Sequence, residues 1–316
     1  SARTWRLVAL TVGQALASTV VTVGVGVPVA WVLARYRFRG RRAVLTAAMC
    51  PFVLPTVVIS AAFASLLGPR GLVDARGTWW AIIAAHLCFN LAVVVRTVTA
   101  SFAATDPDLE SAARLLGAGR ARVAFAVSLP LVAPAVAAAA AVVFLFCLTS
   151  FGVIVVLGGG SVSTLEVEIW TRATAQFDLS GAGVLCLLQF AAVVSTLALH
   201  ARIVRRADAR RGAGASFAHR AHRVAGAADR LAVVGAVLAV AVVALVPVAA
   251  LFERSFRVRG HLGLDHWRHL GSATAGTGLR VAPLDAVATS LATASLATLL
   301  AVAMALPASR AVANRP

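Results

Sequence analysis

The stretch from Thr105 to Pro134, TDPDLESAARLLGAGRARVAFAVSLPLVAP, sets a polar, helix-forming insert between long apolar runs. Its chemistry is that of a docking element. Asp106 can accept hydrogen bonds from the first free amides of a helix, Pro107 suits the first helical position, and Asp108 and Glu110 favour the positive end of the helix dipole. A helix is therefore expected to begin at Pro107. Leu109, Ala112, Ala113 and Leu116 then fall on one stripe, and Gly117 and Gly119 supply residues that end helices. Because Ala112, Ala113 and Gly117 carry almost no side chain, another protein's surface can approach that face closely.

A second set of chemistry-bearing residues lies inside the apolar runs: Gln14, His86, Asn90, Arg96, Thr149, Ser150 and Gln189. Ionisable groups within a membrane face a cavity or a partner, which makes His86, with Asn90, Ser150 and Gln189, the candidate lining of a pathway. Interhelical hydrogen bonding is the competing account for Gln14, Asn90 and Gln189, and snorkelling to the interface for Arg96. Pro51 and Pro55 are expected to interrupt a helix, each removing a donor and freeing carbonyls toward a protected cavity. No metal site is indicated. Cys50, Cys88, Cys147 and Cys186 have no C-x-x-C spacing, and His219, His222, His261, His266 and His269 lack the companions of a metal motif. Gly158 to Gly160 has no following Lys and reads as a turn rather than a phosphate cradle. Neither a Ser-His pair nor H-E-x-x-H falls in a suitable apolar run, which weighs against an intramembrane enzyme.

The elements that position these residues must be membrane helices. Of 316 residues, 60% are hydrophobic and 13% charged, and the mean hydropathy is +0.89. A soluble domain of that composition could not cover its own core. Seven stretches suffice to cross ~30 Å of hydrocarbon at roughly 20 residues each: 7–33, 43–67, 78–99, 131–156, 181–200, 231–252 and 284–308. Barrel-type alternation is absent, so helices must satisfy the backbone. The expected fold is all-α, a polytopic transmembrane bundle of about seven spans.

A formal net charge of +17 invites a nucleic-acid reading, but the arginines cluster beside span ends. With the loops at 34–42, 100–130 and 201–230 in the cytoplasm, the positive excess lies inside, as the rule for short loops requires. The loop 253–283 is a counterexample, carrying Arg254, Arg257, Arg259, Arg268 and Arg280 outside. Longer translocated loops obey that rule weakly. The Arg- and Ala-rich connector 202–230 is expected to lie near anionic headgroups, so lipid rather than nucleic acid is the expected partner.

The insert resembles the cytoplasmic signature loop of ABC importer permeases: Glu-Ala-Ala, three residues, Gly, nine residues, an aliphatic residue, any residue, Leu-Pro. Ala112, Ala113, Gly117, Val127, Leu129 and Pro130 stand at matching positions. Ser111 occupies the usual Glu position, with Glu110 one residue early. The resemblance is closest to fused permeases of the thiamine and iron(III) group, carried also by residues 37–63 and 150–189.

That resemblance implies an ATPase-coupling surface formed by Asp106, Glu110, Ser111, Ala112, Ala113, Gly117, Leu129 and Pro130. It also implies two ATPase subunits inside and an extracytoplasmic substrate-binding protein. No cofactor is expected on this chain; ATP and magnesium belong to the partner ATPase, since the sequence holds no lysine and hence no phosphate loop of the G-x-x-x-x-G-K type. Movement of the docked helix is expected to pass to the helices beginning near 78 and 131.

Leu16 to Arg35 is similar to Ser295 to Asn314, with Thr19 over Thr298 and Pro28 over Pro307. Two fused halves are expected: 1–205, a first half lacking its first span; 206–230, a cytoplasmic linker; and 231–316, the beginning of a truncated second half. TLEVEIW, Thr164 to Trp170, favours the thiamine branch, with iron(III) the alternative cargo. A secondary transporter is the alternative of another class, though it should carry charged coupling residues in its spans, and few occur here.

Overall fold

The computed structural model describes residues 2–69, 71, 73–211, 222–258, 261–272 and 281–313. His219, Arg259, Arg280, Asn314 and the middle of the connector, 212–221, lie outside the described residues. Two compact units, Ser1–Leu251 and Phe252–Pro316, divide the chain. Among the described residues, six helices are long and apolar enough to cross a membrane, or seven if one bent pair counts as a span.

In the first unit, α1 (Ala2–Arg35) is followed by a two-residue strand β1 (Tyr36–Arg37), the pair α2 (Arg41–Val53) and α3 (Thr56–Leu66), and α4 (Trp79–Ala103). Then come α5 (Pro107–Leu115), α6 (Arg120–Val123), a π-helical turn Ala124–Ser128, α7 (Leu129–Leu148), α8 (Gly152–Leu157), α9 (Leu165–Thr174) and α10 (Leu179–Arg211). Strand β2 (His222–Arg223) pairs in parallel with β1, and α11 (Ala227–Val240) leads through a second π-helical turn, Ala241–Leu245, into α12 (Val246–Ser255). The second unit holds the antiparallel pair β3 (Arg257–Val258) and β4 (His261–Leu262), α13 (Asp265–Arg268) and α14 (Pro283–Ala313), which contains Pro307 as α1 contains Pro28.

Helix α4 is apolar around most of its circumference and is accordingly buried at the centre of the first unit. Ala15, Ala30 and Ala34 of α1 pack with Val94, Val98 and Phe102 of α4 and with Val132, Ala139 and Val143 of α7. On another side, Leu91 and Val95 meet Val29 and Leu33 of α1, Ala48 of α2, and Val233, Ala236 and Val240 of α11. Helix α11, expected to open a second half, thus packs within the first unit. On the third side Ile82, Ala85 and Cys88 close on Ile59 and Phe63 of α3 and Ile154 and Leu157 of α8.

One span is interrupted as expected, though at only one of its two prolines, and another differs from expectation. The stretch 43–67 is not one helix: α2 and α3 meet at 102°. Pro55 makes the bend, because Leu54 before it is extended (φ −74°, ψ 144°) as a residue preceding proline must be. Pro51 sits inside α2 without interrupting it. The span placed at 131–156 instead runs as one helical stretch over Ala121–Leu148, so part of the presumed loop is helix. It ends at Thr149, and residues 152–157 form the separate α8. Thr149 donates back to the Leu145 carbonyl at 2.9 Å, and long-range partners described below take the last carbonyls of α7.

The two breaks touch. A β-carbon on Gly152 would stand 2.8 Å from Thr56 Oγ1 and 3.0 Å from Val57 Cγ2, so α8 and α3 meet only because residue 152 is glycine. Gly152→Val should lower stability by about 1–3 kcal/mol through overpacking. Thermal unfolding of the detergent-solubilised protein measures this, and an unchanged midpoint would show that the joint yields freely.

Candidate functional site

Helix α5 forms as its residues require. Asp106 Oδ1 accepts from the Asp108 amide at 2.9 Å, Pro107 opens the helix, and Asp108 and Glu110 occupy the first turn. At the other end the Gly117 amide bonds the Arg114 carbonyl (2.9 Å) and the Ala118 amide the Ala113 carbonyl (3.0 Å). This paired closure needs a left-handed residue, and Gly117 supplies φ +84°. Leu109 and Ala112 are exposed and Ala113 half-buried. Leu115 and Leu116 are each 89% exposed, an unusual outlay of apolar surface on so short a helix.

The opposite face is anchored by Glu110. Its carboxylate receives Arg35 Nη1 from the end of α1 at 2.8 Å and the Ser128 hydroxyl from the π-helical turn at 2.6 Å, with Arg114 at 3.8 Å. Burial alone would raise this carboxyl; the Ser128 hydrogen bond and the Arg35 and Arg114 charges outweigh it and hold the group below the usual carboxylate range. Arg35 is itself held over the Trp31 ring, 5.2 Å from its centroid. Ser111, at the signature Glu position, only bonds back to the Pro107 carbonyl at the surface. Glu110 supplies a carboxylate anchor, one residue early in the pattern and turned inward.

Leu129 and Pro130 lie in the helical run that continues to Leu148. Pro130 has no amide for a regular bond, and the wide turn just before it, closed by the Leu129 amide on the Ala124 carbonyl, takes up that irregularity. Helix α5, the glycine turn, α6, the π-turn and the span thus follow one another directly.

At the other end of α7 the polar residues converge. Gln14 Nε2 donates to the Cys147 carbonyl at 2.7 Å and Gln189 Nε2 to the Leu148 carbonyl at 3.2 Å. His86 is enclosed, with Nδ1 3.0 Å from Ser18 Oγ and Nε2 2.9 Å from Ser150 Oγ. Asn90 donates to the His86 carbonyl (3.0 Å) and lies 3.5 Å from Cys147 Sγ. Among the described residues, the amide oxygens of Gln14, Asn90 and Gln189 have no hydrogen-bond partner. His86, Asn90, Ser150 and Gln189 thus sit together, while buried Pro51 and exposed Pro55 belong to the neighbouring broken pair. Phe52, Phe89 and Phe146 form one aromatic group with centroids 5.2–6.3 Å apart, and Phe151 and Trp170 form a pair 5.8 Å apart. Glu166 of α9 accepts from Gln189 Nε2 at 3.2 Å, and burial raises its carboxyl above the usual range. Arg96 is exposed, its guanidinium 4.0 Å from Met49 Sδ.

Arg35, Ser128, Ser18, Phe151, Glu166 and Trp170 were not singled out from the sequence as site residues. For Ser18 a signal existed: Thr11, Gln14, Ser18 and Thr22 recur at helical spacing on an otherwise apolar helix, and all are buried. Among the described residues, no group of three or more His, Cys, Asp or Glu side chains is placed to hold a metal ion.

The described residues thus form a bundle of membrane-length helices with one sharply bent pair, and a capped amphipathic helix precedes the span that ends at Leu148. Residues 26–211 match the binding-protein-dependent transport system inner membrane component family, and the chain belongs to it as a multi-pass protein of the cytoplasmic membrane. It is 32% identical over 203 residues to the thiamine transport system permease protein ThiP of Brucella abortus, covering 59% of this chain and 37% of that protein. The chain thus spans little more than a third of that relative. It is 27% identical over 221 residues to the molybdenum transport system permease protein ModB of Escherichia coli, covering 66% and 96% respectively. A similarity to the sulfate transport system permease protein CysT of Salmonella typhimurium, 31% over 179 residues, covers 53% and 64%. Among solved structures, a bacterial alginate ABC transporter in complex with its alginate pentasaccharide-bound periplasmic protein superposes with a TM-score of 0.54 over 68% of this chain and 82% of that one, at 15% identity, a likeness of fold.

Glu110→Ala should release α5 from the body without unfolding the spans. Loss of a charged hydrogen-bonded anchor of about 1.5–3 kcal/mol corresponds to roughly 10- to 150-fold faster amide exchange in residues 107–116. Hydrogen exchange read by mass spectrometry checks this. Because the folded carboxyl is depressed, the anchor's contribution is present above the group's ordinary value and is lost as pH falls through the folded one, so wild-type α5 should loosen at acid pH and the variant should not change further.

Proposed function

We propose that this chain is a transmembrane permease subunit of an ATP-driven importer, lining the route of a small cargo and coupled through α5 to a separate ATPase. The observation that carries the proposal is α5 itself. Leu109, Leu115 and Leu116 offer an apolar face outward, while Glu110 locks the inner face to α1 and to the root of α7. ATP and magnesium are taken to reside on the ATPase, and an extracytoplasmic binding protein to deliver cargo. When the ATPase dimer closes, α5 moves as a rigid body. Arg35 and Ser128 pass that shift to α1 and α7, which meet again at the Gln14–Cys147 bond.

Thiamine or a related small cation is the favoured cargo, supported by the similarity to the thiamine permease and by an outer-end carboxylate, Glu166, beside exposed aromatic rings. The iron(III) alternative, and the oxyanions named for the molybdenum and sulfate relatives, are decided by uptake.

Two experiments test this reading. In co-purification with the ATPase, Gly117→Leu, which must strain a left-handed position, and Leu116→Asp should each abolish association while leaving the chain in the membrane; undiminished association would place the ATPase elsewhere. In vesicles holding the assembled transporter, labelled thiamine should accumulate only with ATP. Accumulation driven by a proton or sodium gradient would make the protein a secondary transporter, and accumulation of iron(III) or molybdate instead would replace the cargo.

A further inference from the structure

We propose that Phe151, Trp170, Glu166 and Gln189 form a cargo subsite for a planar aromatic cation, placed where α7 ends. The proposal rests on the cation-cargo reading above and adds the residues that would recognise it.

Helix α9 is short and carries Glu166 and Trp170 four residues apart, hence on one face. The Trp170 indole lies 5.8 Å from the Phe151 ring at an interplanar angle of 59°. That is a tilted pair rather than a closed stack. With Trp170 49% and Phe151 36% exposed, ring faces remain available to a ligand. Aromatic faces attract cations through their quadrupole, and two inclined faces suit a flat one.

The charge at this point is negative. Among the described residues Glu166 has no guanidinium or imidazole partner; its contact is the Gln189 amide. Arg172, the cation of the same helix, is engaged by Glu168 at 3.0 Å and Asp178 at 3.6 Å. Gln189 is only 7% exposed, and its Oε1 makes no hydrogen bond. An unpartnered amide oxygen beside a carboxylate favours a ligand that donates protons, such as an amino-substituted heteroaromatic ring. An oxyanion would face the Glu166 carboxylate and the unpartnered Gln189 oxygen, and the indole N–H of Trp170 is too little to offset that repulsion. A trivalent metal ion would find one carboxylate where it needs several hard oxygen ligands.

Position gives the subsite consequence. Gln189 Nε2 also donates to the Leu148 carbonyl, so the amide that touches Glu166 holds the terminal turn of α7 as well. Phe151 lies within the break that follows. A cation drawing on Glu166 and the Gln189 side chain therefore acts on the end of the same helix that α5 moves from its beginning. The plain alternative is an interfacial aromatic pair of the kind that borders membrane helices, for which the carboxylate and amide would have no role.

Equilibrium dialysis with the intact chain in nanodiscs decides between them, with labelled thiamine and 1-methylnicotinamide as cationic probes and molybdate as the anionic control. Wild type should bind thiamine. Glu166→Gln and Trp170→Leu should each weaken binding about tenfold, with Trp170→Phe keeping most of it. Wild-type and variant thermal midpoints should agree. If a Glu166 variant fails to fold, the contrast between Trp170→Leu and Trp170→Phe still decides. Equal thiamine affinity across all variants overturns the subsite while leaving the thiamine cargo standing. Binding of 1-methylnicotinamide but not thiamine, still dependent on Trp170 and Glu166, keeps the subsite and removes thiamine. Molybdate binding with neither cation bound overturns both.

Discussion

A helix that stops inside a bilayer leaves carbonyl groups with no water to meet them, and each such group costs several kcal/mol unless protein supplies a donor. Helix α7 stops at Leu148 among buried residues, Cys147 and Leu148 being 0% and 1% exposed, so its last carbonyls likewise need protein donors. Its last carbonyls are met by Gln14 from α1 and Gln189 from α10, and by the Thr149 hydroxyl from within. Much of the remaining polar arrangement follows from that need. His86 bridges Ser18 and Ser150, fixing the first residues beyond the stop against α1 and α4, and Gly152 lets the restarted chain lie on α3. Polar side chains that look like a pathway lining in the sequence are thus, in the first place, the donors and bridges that make a broken helix tolerable. The same break gathers acceptors that find no donor among the described residues, the amide oxygens of Gln14, Asn90 and Gln189.

The α5 end obeys a different rule. Helix α5 is too short to be stable alone in water, where isolated helices need roughly 12–15 residues. It is held by an aspartate cap, a glycine closure and one half-buried carboxylate bound to two other elements. That construction leaves its leucines unpaired on the outer face. A helix secured by few but strong contacts on one side moves as a unit when gripped on the other.

How much of this could be read from the residues depended on the range of the forces. The span of α5 was legible, because Asp106, Pro107 and Gly117 act on amides within five residues of themselves. The bend at Pro55 was also legible, but Pro51 was not distinguishable from it: the outcome turned on Leu54 becoming extended and on how α3 packs against α8. The end of α7 was misplaced because residues 152–157 are as apolar as the span before them, and only the partners of Cys147 and Leu148 reveal the stop. Those partners, Gln14 and Gln189, lie 133 and 41 residues away. The Arg35–Glu110 pair, 75 residues apart, was hidden for the same reason.

Prolines explain a further regularity. Both π-helical turns, Ala124–Ser128 and Ala241–Leu245, end two residues before a proline, Pro130 and Pro247. A proline in a helix lacks an amide and crowds the carbonyl four residues back, here within the wide turn in each case. Opening that turn to a bond spanning five residues relieves the crowding without breaking the helix. The Leu129 amide makes that bond to Ala124 and the Val246 amide to Ala241. Leu-Pro in the signature pattern then has a physical reading: at Pro130 the proline is accommodated by a widened turn at the root of the span, whereas Pro28, Pro134 and Pro307 lie in helices without one, and the widened turn holds Ser128, the residue that binds Glu110. Leu129, Pro130 and Ser128 are therefore parts of one joint, in which the turn that accommodates proline is the seat on which α5 rests.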